Sequence, residues 1–208
     1  VAVPATLAAK PTMLSTAVFE GTNVNSVDLA NTQFANNDMA NTFNGCTNLK
    51  SVTNLTNTVN AMNYAFNNAT NLKTVGGISA TASIRMSNGY MAFSNCTNLT
   101  SVPNIGIMAS ATNSTTNVAY AFHNCSNLSK INMPLFGIRP YGAGSIFNGY
   151  KTFANCCNLI ALETMTIGAI GNSNLCNMFQ NTGISSLGNL TNRRGDFGLS
   201  IRGNANMN

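Results

Sequence analysis

The chain has 208 residues, with ten Lys and Arg, five Asp and Glu and one His, giving a formal net charge of +5. Only 7% of it is charged against 44% apolar; it can fill a core, yet it lacks the dense basic face of a nucleic-acid groove and any apolar run near the roughly 20 residues that span a bilayer. Polarity falls instead to amides and hydroxyls, led by 36 Asn, a profile of turns and short strands that suits secreted and virion-surface proteins.

The chain opens at Val1 without a Met, as a processed protein or part of a longer one would. The stretch 1–9 has neither the charged start nor the full apolar run of a signal peptide, and 1–15 reads as an N-terminal cap or linker. From 16 to 187 the sequence repeats itself. The first copy is the shortened Phe19-Glu-Gly-Thr-Asn-Val24-Asn-Ser-Val27. Full copies follow: Phe43-Asn-Gly-Cys-Thr-Asn-Leu49-Lys-Ser-Val52, Phe66-Asn-Asn-Ala-Thr-Asn-Leu72-Lys-Thr-Val75 and Phe93-Ser-Asn-Cys-Thr-Asn-Leu99-Thr-Ser-Val102. Two more are Phe122-His-Asn-Cys-Ser-Asn-Leu128-Ser-Lys-Ile131 and Phe153-Ala-Asn-Cys-Cys-Asn-Leu159-Ile-Ala-Leu162. A shortened last copy is Phe179-Gln-Asn-Thr-Gly-Ile184-Ser-Ser-Leu187. Abbreviated first and last copies are what terminal repeats look like. The remainder, 188–208, reads as a C-terminal cap or linker in which Arg193, Arg194 and Arg202 gather.

Each phrase translates into backbone. Two residues after every Phe stands Gly or Asn (Gly21, Gly45, Asn68, Asn95, Asn124, Asn155, Asn181), the residues that most readily turn left-handed. The pattern predicts a short helix closed by each Phe and capped there, with Met39, Met62, Val118 and Leu175 one turn earlier on the same face. Next comes a small buried column, Thr22, Cys46, Ala69, Cys96, Cys125, Cys156 and Thr182. An Asn column (Asn48, Asn71, Asn98, Asn127, Asn158) follows, placed to bond the backbone of the bend, and Leu-x-x-Val reads as a short strand. The expected fold is an α/β solenoid of about seven coils, a leucine-rich repeat array with a parallel β-sheet on one face and short helices on the other. Its longest return loops fall at 103–117 and 132–148.

The phrase AF-x-N-C-x-N-L-x-x-V resembles the leucine-rich repeats of the BspA-like family, whose repeats are also found in phage fibre proteins. The resemblance covers about Thr16 to Leu187. It implies a surface-exposed or secreted module, on a bacterial cell or a phage virion, for adhesion or recognition. Its implied partners are a protein or glycan receptor on a cell surface and neighbouring chains of a virion or surface assembly, with no nucleic acid, no transmembrane segment and no cofactor. The competing expectation is a structural spacer or decoration protein of such an assembly.

Residues for catalysis are sparse. His123 has no acid near it in sequence and is expected at a helix C-terminus, where its charged form would be favoured. The cysteines recur at repeat-length spacing, not at that of zinc knuckles, and read as buried free thiols; Cys157 and Cys176 lie off the column. The five acids form no general acid–base pair. No enzymatic activity is expected, and neither a catalytic nor a metal site. Two surface features remain as candidate ligand-binding sites. Lys50, Ser51, Lys73, Thr74, Thr100, Ser101, Ser129 and Lys130 follow the column Leu residues and should form a polar, mildly basic ridge on the sheet. Tyr64, Tyr90, Tyr120 and Tyr150, two or three residues before successive Phe, should form an aromatic stripe suited to stacking on glycans or packing on another chain.

Overall fold

A computed structural model describes residues 13–55, 59–76, 84–102, 105–106, 115–136, 146–160, 164–167, 172–184 and 190–192. One seven-stranded parallel sheet comprises Ser26–Asp28, Ser51–Thr53, Thr74–Val75, Ser101–Val102, Lys130–Phe136, Thr164–Ile167 and Leu190–Asn192; the first five include the last residue of the Leu-x-x-Val phrase and the last two follow it. They stand side by side in chain order, as successive coils of a solenoid must. A second parallel sheet joins Thr115–Asn117, Ile146–Asn148 and Asn172–Asn174. Single bridges between Asp38 and Ala61, Ala61 and Asn88, and Asn88 and Asn117 carry this pairing back towards the N-terminus. Two shorter pairs are Met13–Leu14 with Gln33–Phe34, and Ile84–Arg85 with Ile105–Gly106. Much of the two expected long loops lies outside the described residues; their described parts include the strands Thr115–Asn117, Ile146–Asn148 and the far end of Lys130–Phe136.

The Phe column is the axis of the core. Seven rings, Phe19, Phe43, Phe66, Phe93, Phe122, Phe153 and Phe179, stack in an unbroken row with centroids 4.9–5.6 Å apart and planes within 15° of parallel. Leu49, Leu72, Leu99, Leu128 and Leu159 run beside it, fully buried, as do Met39, Met62 and Val118. Where that last column carries glycine, a neighbour fills the space: the Met86 side chain occupies the place of a Gly89 side chain, and Leu175, Met178 and Phe147 crowd that of Gly149.

The expected helices do not form. Among the described residues the one helical element is the single turn Ala35–Asn37, itself interrupted by Asn36 at φ 54°. The segments ending at each Phe are runs of overlapping turns in which alternate amides have different destinations. In the second coil Thr42, Asn44 and Cys46 N–H groups donate to the carbonyls three residues back, Met39, Asn41 and Phe43. Met39, Asn41, Phe43 and Gly45 N–H groups instead donate forward to Ala61, Asn63, Ala65 and Asn67 of the next coil. The same four forward bonds recur at every later junction, from Met62, Tyr64, Phe66 and Asn68 to Gly149, Lys151, Phe153 and Asn155, all at 2.7–3.1 Å. An α-helix would keep its amides within one segment, bonded four residues back; this backbone gives half of them to the adjacent coil. The price is a left-handed residue at the third position of a tight turn, which Gly and Asn adopt most easily. The Gly/Asn column is indeed left-handed, at φ 54° to 72°, as turn centres rather than helix caps.

A second left-handed column, two residues before each Phe, escaped the sequence reading: Ala17, Asn41, Tyr64, Met91, Tyr120, Lys151 and Asn177, at φ 51° to 59°. Most of these are neither Gly nor Asn. Five of the turn runs are also opened by an Asx turn, in which the Asp38, Asn88, Asn117, Asn148 or Asn174 side-chain oxygen accepts the N–H two residues on. Much of the Asn excess is thus backbone punctuation.

Candidate functional site

Amide side chains stitch the coils together at the surface. The left-handed Asn column forms a continuous ladder: Asn95 Nδ2 donates to Asn68 Oδ1, Asn124 to Asn95, Asn155 to Asn124 and Asn181 to Asn155, at 2.7–2.9 Å. One residue earlier, Asn67 donates to Asn44 and Asn44 to the Glu20 carboxylate. The Asn column expected to bond its own bend bonds the preceding coil instead. Asn71 and Asn98 donate to the Thr47 and Thr70 carbonyls, and Asn158 to the Asn127 side chain.

The thiols serve the core. Cys46, Cys96, Cys125 and Cys156 are free and fully buried, and each Sγ donates to the carbonyl of a column Phe on the preceding coil (Phe19, Phe66, Phe93, Phe122) at 2.8–3.1 Å. Burial pushes the thiols of Cys46, Cys96 and Cys125 up, away from the thiolate that reacts or binds metal. Cys157 and Cys176 are free and exposed. Among the described residues no three of His, Cys, Asp and Glu gather as a metal site, and no helix is long and apolar enough to cross a membrane.

His123 stands at no helix terminus. Its ring meets Tyr120 edge-on at 5.3 Å and Nε2 lies 3.5 Å from the Asn155 amide. Partial burial, then the charge of Lys151, hold it below the ordinary histidine range, so the neutral form is favoured. The unfolded chain takes up a proton near pH 6.5 while the folded chain resists it. The fold should therefore lose stability as pH falls below about 6.5 and stop losing it at the lower folded value. Thermal melts between pH 8 and about 5 should show that loss shrinking in His123→Gln; an unchanged slope would refute it.

Both candidate surfaces come together. On the sheet Ser51 pairs with Thr74, Thr74 with Ser101 and Ser101 with Lys130, in register. Lys50, Lys73, Thr100 and Ser129 line up one residue earlier, each N–H bonded to the coil before it. Lys50, Lys73, Thr74, Thr100, Ser129 and Lys130 are exposed, and Ser51 and Ser101 half-exposed. The nearby acid, Asp28, accepts from the Asn54 side chain and the Ala30 N–H. The column ends on Ile160, 67% exposed. The tyrosines form a zigzag: Tyr64, Tyr90, Tyr120 and Tyr150 meet edge to face in turn, 5.3–6.2 Å apart at 80–89°. Partial burial, then the neighbouring tyrosine, push the Tyr64 and Tyr120 phenols up.

This repeat unit, Phe over small residue over Leu in a parallel stack, agrees with the chain's sequence match: the BspA type leucine rich repeat region, in six copies over residues 12–139 and 78–188. The chain belongs to the BspA-type leucine-rich repeat family. No curated protein matches it, and no solved structure does. In this BspA-type array the recurring residues of the phrase go to stacking, turning and bonding coils. Among the described residues, the strand ridge and the tyrosine zigzag lie between them.

Proposed function

We propose that the chain is a non-enzymatic recognition module of seven coils, an adhesion or receptor-binding surface displayed on a bacterial cell or a phage virion. The observation that carries this reading is the strand ridge. Lys50, Lys73 and Lys130 stand among exposed hydroxyls on a continuous parallel sheet, with the nearest described acid already bonded. A rigid, regularly spaced row of cations and hydroxyls suits an extended partner carrying negative charge. Membership in a family of surface-associated repeats supports the location. The test is attachment of the labelled chain to whole cells and to an array of cell-surface proteins and glycans. The triple variant Lys50→Ser, Lys73→Ser, Lys130→Ser, which places the hydroxyl already found elsewhere in these columns, should weaken attachment at least tenfold, a loss of about 1.4 kcal/mol. Undiminished attachment would remove the ridge from the reading.

A further inference from the structure

At the far end of the zigzag, three rings and a cation converge. Tyr120 touches both His123 and Tyr150, each at 5.3 Å, and the Lys151 Nζ lies 5.4 Å from the Tyr150 ring centre. The Asn155 amide stands beside His123. All four of Tyr120, His123, Tyr150 and Lys151 are half-exposed. Lys151 makes no ion pair among the described residues, and the described acids Glu20, Asp28 and Asp38 all lie in the first two coils.

Lys151 and Tyr120 sit in the second left-handed column, at φ 51° and 58°, where Asn41 and Asn177 show what the turn accepts without strain. Neither residue contributes to the buried core.

We propose that Tyr120, His123, Tyr150 and Lys151 form a binding site for an anionic saccharide, the rings packing on the sugar face and the Lys151 ammonium meeting its carboxylate or sulfate. An amphipathic aromatic ring offers an apolar face to sugar C–H groups and a hydroxyl to sugar oxygens, and a lysine is a point charge with three rotatable donors. The site deepens the recognition reading by naming a ligand class, and it lies apart from the strand ridge.

The test titrates the full chain with a heparin-derived hexasaccharide, a galacturonate hexamer and a neutral chitin hexamer. Binding is expected to one or both anionic probes, at least tenfold tighter than to the neutral one; which of the two binds distinguishes sulfate from carboxylate. Lys151→Asn, which suits the turn and should melt no lower than the parent, and Tyr150→Leu should each weaken it at least tenfold. Arg85→Gln, on the short strand Ile84–Arg85 and assigned to neither surface, should change it less than twofold. The proposal is overturned if neither anionic probe binds, if Lys151→Asn binds as the parent does, or if Arg85→Gln loses as much, which would mark a response to net charge alone. Cell attachment that depends on the ridge lysines, with no saccharide bound, sinks this site and leaves the recognition reading standing. Absence of attachment to any cell or array sinks that reading while the titration still decides the site.

Discussion

Phe93→Ala should lower the stability of the chain by about 3–5 kcal/mol. The ring is fully buried and stacks on both sides, on Phe66 at 4.9 Å and on Phe122 at 5.1 Å. Truncation removes the transfer energy of a phenyl ring and opens a gap between two coils that a continuous backbone ladder prevents from closing. In an array where each coil touches only its neighbours, a weakened central junction also uncouples the two halves. Denaturant unfolding should then broaden or split as the midpoint falls. Phe19→Ala is the comparison, since that ring is 7% exposed and, among the described residues, stacks only on Phe43. It should cost clearly less, and equal losses at the two sites would deny the stack its cooperative role.

Asn124 is expected to be a sensitive surface-side position. It holds φ 60°, donates its side-chain amide to Asn95 at 2.8 Å and accepts from Asn155 at 2.7 Å. Asn124→Ala loses both amide bonds, about 1 kcal/mol each, and adds roughly 1–2 kcal/mol for a left-handed alanine. Asn124→Gly keeps the backbone at ease and loses only the ladder. Alanine should therefore destabilise more than glycine by roughly 1 kcal/mol, measured by denaturant melts. If the two variants are equally stable, backbone conformation is not what selects Asn here; if glycine matches the parent, the ladder contributes nothing.

The sequence revealed the repeat because the core columns admit few alternatives. The buried stack holds Phe in every copy of the phrase, and the position three residues on holds only Cys, Ala or Thr. The left-handed residue after each Phe was legible for the same reason, but its meaning was not. A helix cap and a tight turn both ask for Gly or Asn, and what separates them is whether the preceding amides bond within the segment or across to a neighbour. No single coil carries that information. The second left-handed column was invisible because Tyr64, Met91, Tyr120 and Lys151 sit there against their own preference. The ladder of Asn68, Asn95, Asn124, Asn155 and Asn181 could have been suspected, since identical amides at one position of a parallel stack can bond one another. The tyrosines were expected as a stripe, but their edge-to-face zigzag depends on an alternation between two adjacent columns. Tyr64 and Tyr120 stand two residues before a Phe, Tyr90 and Tyr150 three.

The forward amide bonds on the turn side all run one way, from each coil to the next. Every such peptide unit carries a dipole of about 3.5 D, and here those dipoles add along the solenoid instead of along a helix. Their N–H ends face the C-terminal coils, so the turn side has a positive pole near Phe153 and Phe179 and a negative pole near Phe19. The Asn ladder and the backbone amides of Asn60, Ser87 and Asn117, which donate in the opposite direction, offset part of this field. The remainder reinforces Lys151 where Tyr120 and Tyr150 converge, and a neutral backbone thereby lends the late coils an electrical sign that the side-chain charges alone would understate.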